Sequence, residues 1–347
     1  MPTIDASVAA TRKRRFVTLD ALRGVGAVYV MAGHSGGLVH GYIPPFFQLA
    51  VDMFFVLSGF VIAYAYDGKF ASGMTRREFF RARIKRLFPI YFIGLVLGLV
   101  SVLFTNEHGL SLKQTAISFA TSFFGLPSPP MGPYGALFPL NGPYWSLFFE
   151  FWVANLIFGL FWKSLRGSLL WAIILASAAT LIFSAAQIKT IDLGWDWALF
   201  AGGVPRVCFS FFAGVALSRF HKIRPPKVKV PSILCLLAFI VFMGLPYHGA
   251  LTPIYEIFIL MLFFPLLIYF GAEAFERRPA IGLAIGDASY ALYAIHRPLL
   301  YIFVWPVIIW ALPLLHKPYS YFVQAAFMIL IAGMVWGLNR ILAGARK

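Results

Sequence analysis

Residues 46–66 read FFQLAVDMFFVLSGFVIAYAY, a run of 21 residues with one charged side chain, Asp52. About 20 mainly apolar residues suffice for a helix to cross the hydrocarbon core of a bilayer. Similar runs recur over nearly the whole chain, and the polar stretches between them are short. The sequence therefore predicts an all-α membrane helix bundle of about ten crossings, at 17–38, 46–66, 84–105, 144–162, 168–187, 197–218, 231–247, 253–271, 284–311 and 319–341.

The composition also indicates a surface that faces lipid. The 347 residues are 60% hydrophobic and only 12% charged, whereas soluble domains carry about 25% charged residues. We expect a single transmembrane domain over residues 1–347, with no appended soluble domain. The two cysteines, Cys208 and Cys235, both lie in apolar segments. Their positions predict neither a disulfide framework nor a metal site, so we expect no metal.

The formal net charge of +16 comes from basic residues that collect in short loops between the apolar runs. This pattern is typical of membrane topology rather than of nucleic-acid binding, and the positive-inside rule places such loops in the cytoplasm. All the basic loops share one side only if the polar segment 112–126 does not cross. We therefore expect 112–126 to be re-entrant or interfacial, both termini to be cytoplasmic, and residues 1–15 to form a basic cytoplasmic segment.

Two ionisable side chains, Arg23 and His34, interrupt the first span. Such groups are costly inside a membrane, which suggests a function. Eleven residues at 100° each make 1,100°, about 20° beyond three turns, so the two side chains share one helix face about 16 Å apart. Singly, Arg23 could be an anchor at the membrane surface and His34 a packing residue. Their alignment favours a functional role.

Asp52 and Glu150 lie about 9 Å inside the outer ends of their spans, and His34 lies about 6 Å inside the end of its own. One layer in the outer half of the membrane thus holds a histidine and two carboxylates. A carboxylate that orients a histidine makes a general base, so either acid is a candidate partner of His34. The alternative is that these acids pair with basic residues such as Arg206 and only hold helices together.

Other candidates lie on the cytoplasmic side and within the second span. Arg83 and Arg86 share one face immediately before the third span. Arginines so placed can bind the phosphates of a ligand, but they can also bind anionic lipid or only set the orientation of the chain. Ser58 is small enough to let a ligand or a neighbouring helix approach closely.

The outer side offers candidates for a second substrate. Tyr144 and Trp145 lie near the outer boundary, where an aromatic belt or stacking on a sugar would each explain them. His296 lies within the span 284–311 and is either a substrate contact or a structural hydrogen-bond donor. Asn141, just before this aromatic pair, is a further candidate contact.

Five stretches match, in order, the motifs of a known family: LDALRG at 19–24 with His34 eleven positions after Arg23, VDMFFVLSGF at 51–60, RIKRLFP at 83–89, YWSLFFE at 144–150 and SYALYAIHRPL at 289–299. Together they make the chain resemble the acyltransferase-3 family of membrane-bound bacterial O-acyltransferases, which act on glycans and related acceptors. Phe151 departs from the family pattern where a second acidic residue is common, and Arg297 departs where an aromatic residue is common.

The resemblance implies transfer of an acyl group, commonly acetyl, from a cytoplasmic acyl-CoA to a hydroxyl of a glycan or other acceptor outside the bacterial inner membrane. His34, oriented by Glu150 or Asp52, would deprotonate that hydroxyl, and Arg23 would contact the donor or its carbonyl oxygen. The implied donor contacts are Arg23, Ser58, Arg83 and Arg86, and the implied acceptor contacts are Asn141, Tyr144, Trp145 and His296.

Two other functions would also use ionisable residues inside a membrane. A polysaccharide or small-molecule transporter needs them along its substrate path, and it is the main alternative. A haem-binding electron-transfer protein could use His34 and His296 as axial ligands, but the sequence lacks the further matched histidine pairs that are usual in such proteins.

Overall fold

The computed structural model describes residues 15–106, 109–132, 135–245, 249–311 and 317–344. Within them, eleven helices follow one another: α1 (Val17–Val39), α2 (Ala50–Ala71), α3 (Arg76–Thr105), α4 (Leu112–Phe123), α5 (Tyr144–Phe161), α6 (Ser168–Ile188), α7 (Phe200–Ile223), α8 (Ser232–Gly244), α9 (Thr252–Gly271), α10 (Pro279–Ala311) and α11 (Lys317–Gly344). The predicted all-α membrane bundle is confirmed. The predicted basic segment 1–15 lies, except for Arg15, outside the described residues.

Seven of the described helices are long and apolar enough to cross a membrane, namely α2, α3, α5, α6, α7, α9 and α11. The other three predicted spans are also helical. The 13 residues of α8 extend only about 20 Å, whereas α1 and α10 are long but carry charged side chains. The number of crossings, about ten, stays a prediction.

The two long helices with charged side chains, α1 and α10, pack against each other inside the bundle. A Cβ atom added to Gly24 of α1 would lie 2.0 Å from Cγ2 of Ile285, and one added to Gly286 of α10 would lie 2.5 Å from Cβ of Asp20. Small residues at such crossings let helix backbones approach closely in membranes. Because these helices face each other rather than lipid, they tolerate polar residues that a lipid-facing helix would not.

A second close contact joins α2 to α7. A Cβ atom added to Gly59 would lie 1.9 Å from the carbonyl oxygen of Phe211, so only glycine fits at this crossing. The face of α2 that carries Gly59 is buried against α7, while the opposite side of α2 faces α1 and the interior.

The polar segment 112–126 forms the short helix α4. Its 12 residues extend about 18 Å, less than the roughly 30 Å of hydrocarbon that a crossing requires. Ser111 and Gln114 form a capping box at its start, and the hydroxyl of Tyr91 in α3 donates to the carbonyl of Ser122. The helix thus lies against α3 and is too short to cross, in agreement with a re-entrant or interfacial segment.

A wide turn interrupts α5. Residues Phe149–Asn155 form a π-helix, and the side-chain amide of Asn155 donates to the carbonyl of Glu150 at 2.7 Å. This bond ties the side chain of Asn155 to the backbone at Glu150 across the wide turn. Turns of this kind are frequent at functional sites, and this one sets the direction of the Glu150 side chain.

Candidate active site

The two membrane-buried histidines meet. His34 and His296 each lie 17 positions after the first residue of α1 and α10, about 26 Å along helices that pack side by side. Nδ1 of His34 lies 2.7 Å from Nε2 of His296. The rings are parallel within 9° with centroids 5.0 Å apart. With the two nitrogens only 2.7 Å apart, the centroids can be this far apart only if the rings point at each other edge to edge. The two rings are therefore nearly coplanar and joined by a hydrogen bond, not stacked face to face.

The neighbours of His296 assign the tautomers of both rings. Its Nδ1 lies 3.0 Å from the carbonyl oxygen of Leu292 and 2.9 Å from that of Tyr293. Carbonyl oxygens only accept hydrogen bonds, so Nδ1 of His296 carries the proton and, in the neutral ring, Nε2 is an acceptor. His34 must then donate from Nδ1 to Nε2 of His296. This leaves Nε2 of His34 unprotonated, which is the form that a general base requires.

The end of α1 that carries His34 is held from α11. The amide nitrogen of Gln324 donates to the carbonyl oxygens of Ala32 and Tyr42, and its amide oxygen accepts from the backbone N–H of Tyr42. The edge of the Phe47 ring packs on His34 at 5.5 Å between centroids. His34 is therefore half-buried in a fixed position, whereas His296 is fully buried.

Asp52 does not share this site. Its carboxylate accepts from Nε of Arg206 at 2.9 Å and from a terminal nitrogen of Arg206 at 2.8 Å, and both side chains are 0% exposed. Arg206 also pairs with Asp192 and lies over the ring of Trp145. The prediction that Asp52 orients His34 is wrong, because Asp52 faces α7 while His34 faces α10. The alternative, a pair with Arg206, is what the structure shows.

Glu150 is also engaged away from His34. It accepts a hydrogen bond from Ser58 at 2.6 Å and pairs with Arg83 at 3.0 Å. Arg83 is 3% exposed, and its Nε has no hydrogen-bond partner among the described residues. Glu150 is thus not the predicted orienting acid either, and Arg83 lies inside the bundle rather than in a surface loop. Ser58, Arg83 and Glu150 form one polar cluster.

This polar cluster forms part of the wall of a cavity of about 420 Å³ between α1, α2, α3, α5 and α10. The exposed lining residues, Arg86 and Asp287, mark the mouth. They lie toward the ends of α3 and α10 that are predicted to be cytoplasmic. Apolar side chains of α2 and α3 line about half of the remaining wall. The cavity can therefore admit a long ligand with a charged end at the mouth and an apolar or weakly polar end inside.

Arg23 lines the same cavity near its mouth. Its Nε donates to the hydroxyl of Ser289 at 2.7 Å, and a terminal nitrogen bonds the carboxylate of Asp20 at 2.9 Å and the carbonyl of Gly286 at 3.1 Å. The side chain is 27% exposed. The guanidinium of Arg23 is thus bonded to α10 on one side, and its exposed part faces the cavity.

Three of the four predicted acceptor contacts, all except His296, are buried in helix packing. Tyr144 donates to the carbonyl of Tyr91, Asn141 donates to the carbonyl of Ala294, and Trp145 covers Arg206. All three are less than 9% exposed. Their predicted contact with a sugar stays a prediction, and in this structure they support α3, α10 and Arg206.

Some residues of the site gave only a weak signal in the sequence. Ser289 stands out only as the first residue of the motif at 289–299, and Gln324 is one polar residue in an apolar helix. The partnership of His34 with His296 joins residues 262 positions apart, and helical spacing relates only residues of one helix. A buried glutamine in a lipid-facing helix was the one local hint, since polar groups in membranes require partners.

Comparison with known proteins gives three findings. The sequence model of the acyltransferase-3 family, described as an acyltransferase domain, matches residues 16–338. Protein 2 in picA locus of Rhizobium radiobacter is 34% identical over 186 residues, which cover 50% of this chain and 96% of that protein. Exopolysaccharide production protein ExoZ of Rhizobium meliloti (strain 1021) is 29% identical over 263 residues, which cover 71% of this chain and 74% of that protein. No solved structure matches the chain.

Proposed function

The chain belongs to the acyltransferase-3 family, and from that premise we propose that it moves an acyl group, acetyl in the smallest case, from cytoplasmic acyl-CoA to a hydroxyl of an exported polysaccharide. The similarity to a protein named for exopolysaccharide production supports a polysaccharide as the acceptor. The proposed location is the bacterial inner membrane with both termini in the cytoplasm, in keeping with the basic loops.

One observation carries the proposal. A cavity with an arginine at its mouth leads inward along α2, α3 and α10 toward a histidine whose free ring nitrogen is ready to accept a proton. An acyl-CoA has matching chemistry, because its phosphates suit arginine and its long arm carries the thioester at the far end.

In the proposed reaction, the acceptor hydroxyl gives its proton to Nε2 of His34, and its oxygen attacks the carbonyl carbon of the thioester. A new C–O bond forms and the C–S bond breaks. The proton then passes from His34 to the departing sulfur, which leaves as the free thiol of CoA. His34 returns to its starting state, so the reaction consumes no other reagent.

His296 acts as a positioning residue in this scheme. Its Nδ1–H is fixed by two backbone carbonyls, so its Nε2 presents a lone pair to His34. When His34 accepts a proton at Nε2, its Nδ1–H bond to His296 strengthens, because a charged donor makes the stronger hydrogen bond. The second histidine thus takes the place that a carboxylate has in other general-base pairs.

The exposed arginine at the mouth is expected to bind the donor. We expect Arg86→Ala to raise KM for acetyl-CoA about tenfold with kcat nearly unchanged, because a hydrogen bond to a charged group contributes about 1.5–3 kcal/mol. Steady-state kinetics of the purified protein measures both constants.

The matched control is Arg77→Ala, which removes an exposed arginine from the same helix at a position that does not line the cavity. Equal KM values for the wild type and Arg86→Ala would contradict a donor contact. An equal rise of KM for acetyl-CoA in both variants would mean that the positive charge of the surface, and not a contact with Arg86, attracts the donor.

The role of His296 predicts a difference between two substitutions. We expect His296→Leu to lower kcat about a hundredfold, because nothing then accepts from Nδ1 of His34 and the tautomer is no longer fixed. His296→Gln should recover part of this loss, since its amide oxygen can accept the same hydrogen bond. KM for acetyl-CoA should stay the same in both variants. Equal kcat values for the leucine and glutamine variants would show that His296 only fills space.

The test of the whole proposal is transfer without a gradient. Purified protein in detergent is mixed with acetyl-CoA labelled in the acetyl group and with exopolysaccharide whose esters have been removed by mild alkali. We expect label in the polysaccharide, and its release by a second alkali treatment would identify an ester. Folded protein that leaves the polysaccharide unlabelled would favour the transporter.

A further inference from the structure

The cavity stops short of the histidine pair. Its inner end is formed by Val51, Phe54 and Tyr293. Tyr293 lies one turn before His296 on α10, with the two ring centroids 6.1 Å apart. The rings of Phe54 and Tyr293 meet edge to face, 5.4 Å apart at an angle of 84°. A group that enters from the mouth therefore meets this aromatic pair before it reaches His34.

The two rings differ in how firmly they are held. The hydroxyl of Tyr293 bonds the hydroxyl of Ser146 at 2.6 Å and the carbonyl of Pro143 at 3.3 Å, and the residue is 5% exposed. Phe54 has no polar group and is only half-buried, with the cavity beside it. Phe54 can therefore turn without breaking a hydrogen bond, whereas Tyr293 cannot.

The space behind Phe54 is also limited. A Cβ atom added to Gly26 of α1 would lie 2.8 Å from the Phe54 ring, so the ring already fills the gap between α1 and α2. When it turns, it has to stay within the inner end of the cavity. Any acyl group that passes must share this volume with the ring.

Resting on the proposed function, we propose that Phe54 separates the donor cavity from His34 and restricts the donor to short acyl chains. The ring turns aside to let the thioester carbonyl reach the acceptor oxygen beside His34, and an acetyl group fits next to it. A longer chain competes with the ring for the same volume. The chemistry is that of the proposed reaction: the ester C–O bond forms, the thioester C–S bond breaks, and the proton ends on sulfur.

The test compares acetyl-CoA with hexanoyl-CoA as donors to alkali-deacylated exopolysaccharide. We expect Phe54→Ala to raise the ratio of kcat/KM for hexanoyl-CoA to that for acetyl-CoA at least about tenfold, since each buried methylene contributes on the order of fourfold. Phe54→Leu, a milder change that protects the fold, should raise the ratio less. Size-exclusion chromatography and thermal unfolding in detergent report the folded state of each variant.

The matched control is Phe183→Ala, which removes the same side chain from the exposed surface of α6, where Phe183 is 67% exposed. Its ratio should equal that of the wild type. An unchanged ratio in an active Phe54 variant would overturn the proposal, and so would a folded Phe54→Leu variant without acetyl transfer, because removing a barrier leaves the reacting groups intact. Wild-type protein that transfers no acetyl group would instead refute the proposed function itself.

Discussion

The His34→Ala variant is expected to transfer acyl groups about a hundred to ten thousand times more slowly than the wild type, because general-base assistance contributes a factor of that size. Among the described residues, the hydrogen bonds of the histidine pair leave one nitrogen both unprotonated and unbonded, and it is Nε2 of His34. Removing it leaves no acceptor for the hydroxyl proton. Incorporation of labelled acetyl into deacylated polysaccharide measures the loss.

The folded state of this variant should be preserved, since His34 is half-buried and its removal leaves His296 with its two carbonyl partners. The control is His40→Asn, which changes an exposed histidine at the end of the same helix, where a positive φ of 52° suits asparagine. We expect wild-type activity from the control. Comparable activity from His34→Ala would remove the proposed base.

The second large effect concerns stability. Asp52→Ala leaves Arg206 without its fully buried carboxylate partner, and loss of one member of a buried pair costs about 3–5 kcal/mol. Domains have only about 5–15 kcal/mol of net stability, so this variant should accumulate poorly and unfold at a markedly lower temperature. Yield in membranes and thermal unfolding in detergent measure the effect.

The double variant Asp52→Leu with Arg206→Leu separates a structural role from a catalytic one. Replacing both members of a buried pair by apolar residues of similar volume is often neutral or stabilising. The other acid on Arg206, Asp192, is 32% exposed and can be solvated. We expect the double variant to fold and to retain acyl transfer. A folded double variant without activity would restore Asp52 to the chemistry.

The helices could be predicted from the sequence because apolar runs of the right length leave few alternatives. All ten predicted spans are helical, and the short polar segment 112–126 forms a helix too short to cross. The boundaries were less accurate where a span carries polar residues. Helix α10 begins at Pro279 rather than near 284. That difference of about 7 Å matters, because with the observed start His296 lies as far along α10 as His34 lies along α1.

The sequence identified the residues of the candidate site but not which of their side chains contact each other. Helical periodicity correctly placed Arg23 and His34 on one side of α1, because both side chains face α10. Depth alone suggested that Asp52 and Glu150 could meet His34, yet depth does not say which way a side chain points. The face of α2 that carries Asp52 is turned toward Arg206, and the wide turn in α5 directs Glu150 to Ser58 and Arg83. These directions depend on how helices pack.

The contact between Gly24 and Ile285 has a consequence for the chemistry at a distance. Gly24 lies ten residues before His34, about 15 Å nearer the predicted cytoplasmic end of α1. The separation of the two imidazoles depends on how closely the backbones of α1 and α10 approach there. A single methyl group added at Gly24 would spread the two helix axes and lengthen the hydrogen bond between His34 and His296. The geometry of the proposed base thus depends partly on a glycine that does not line the cavity.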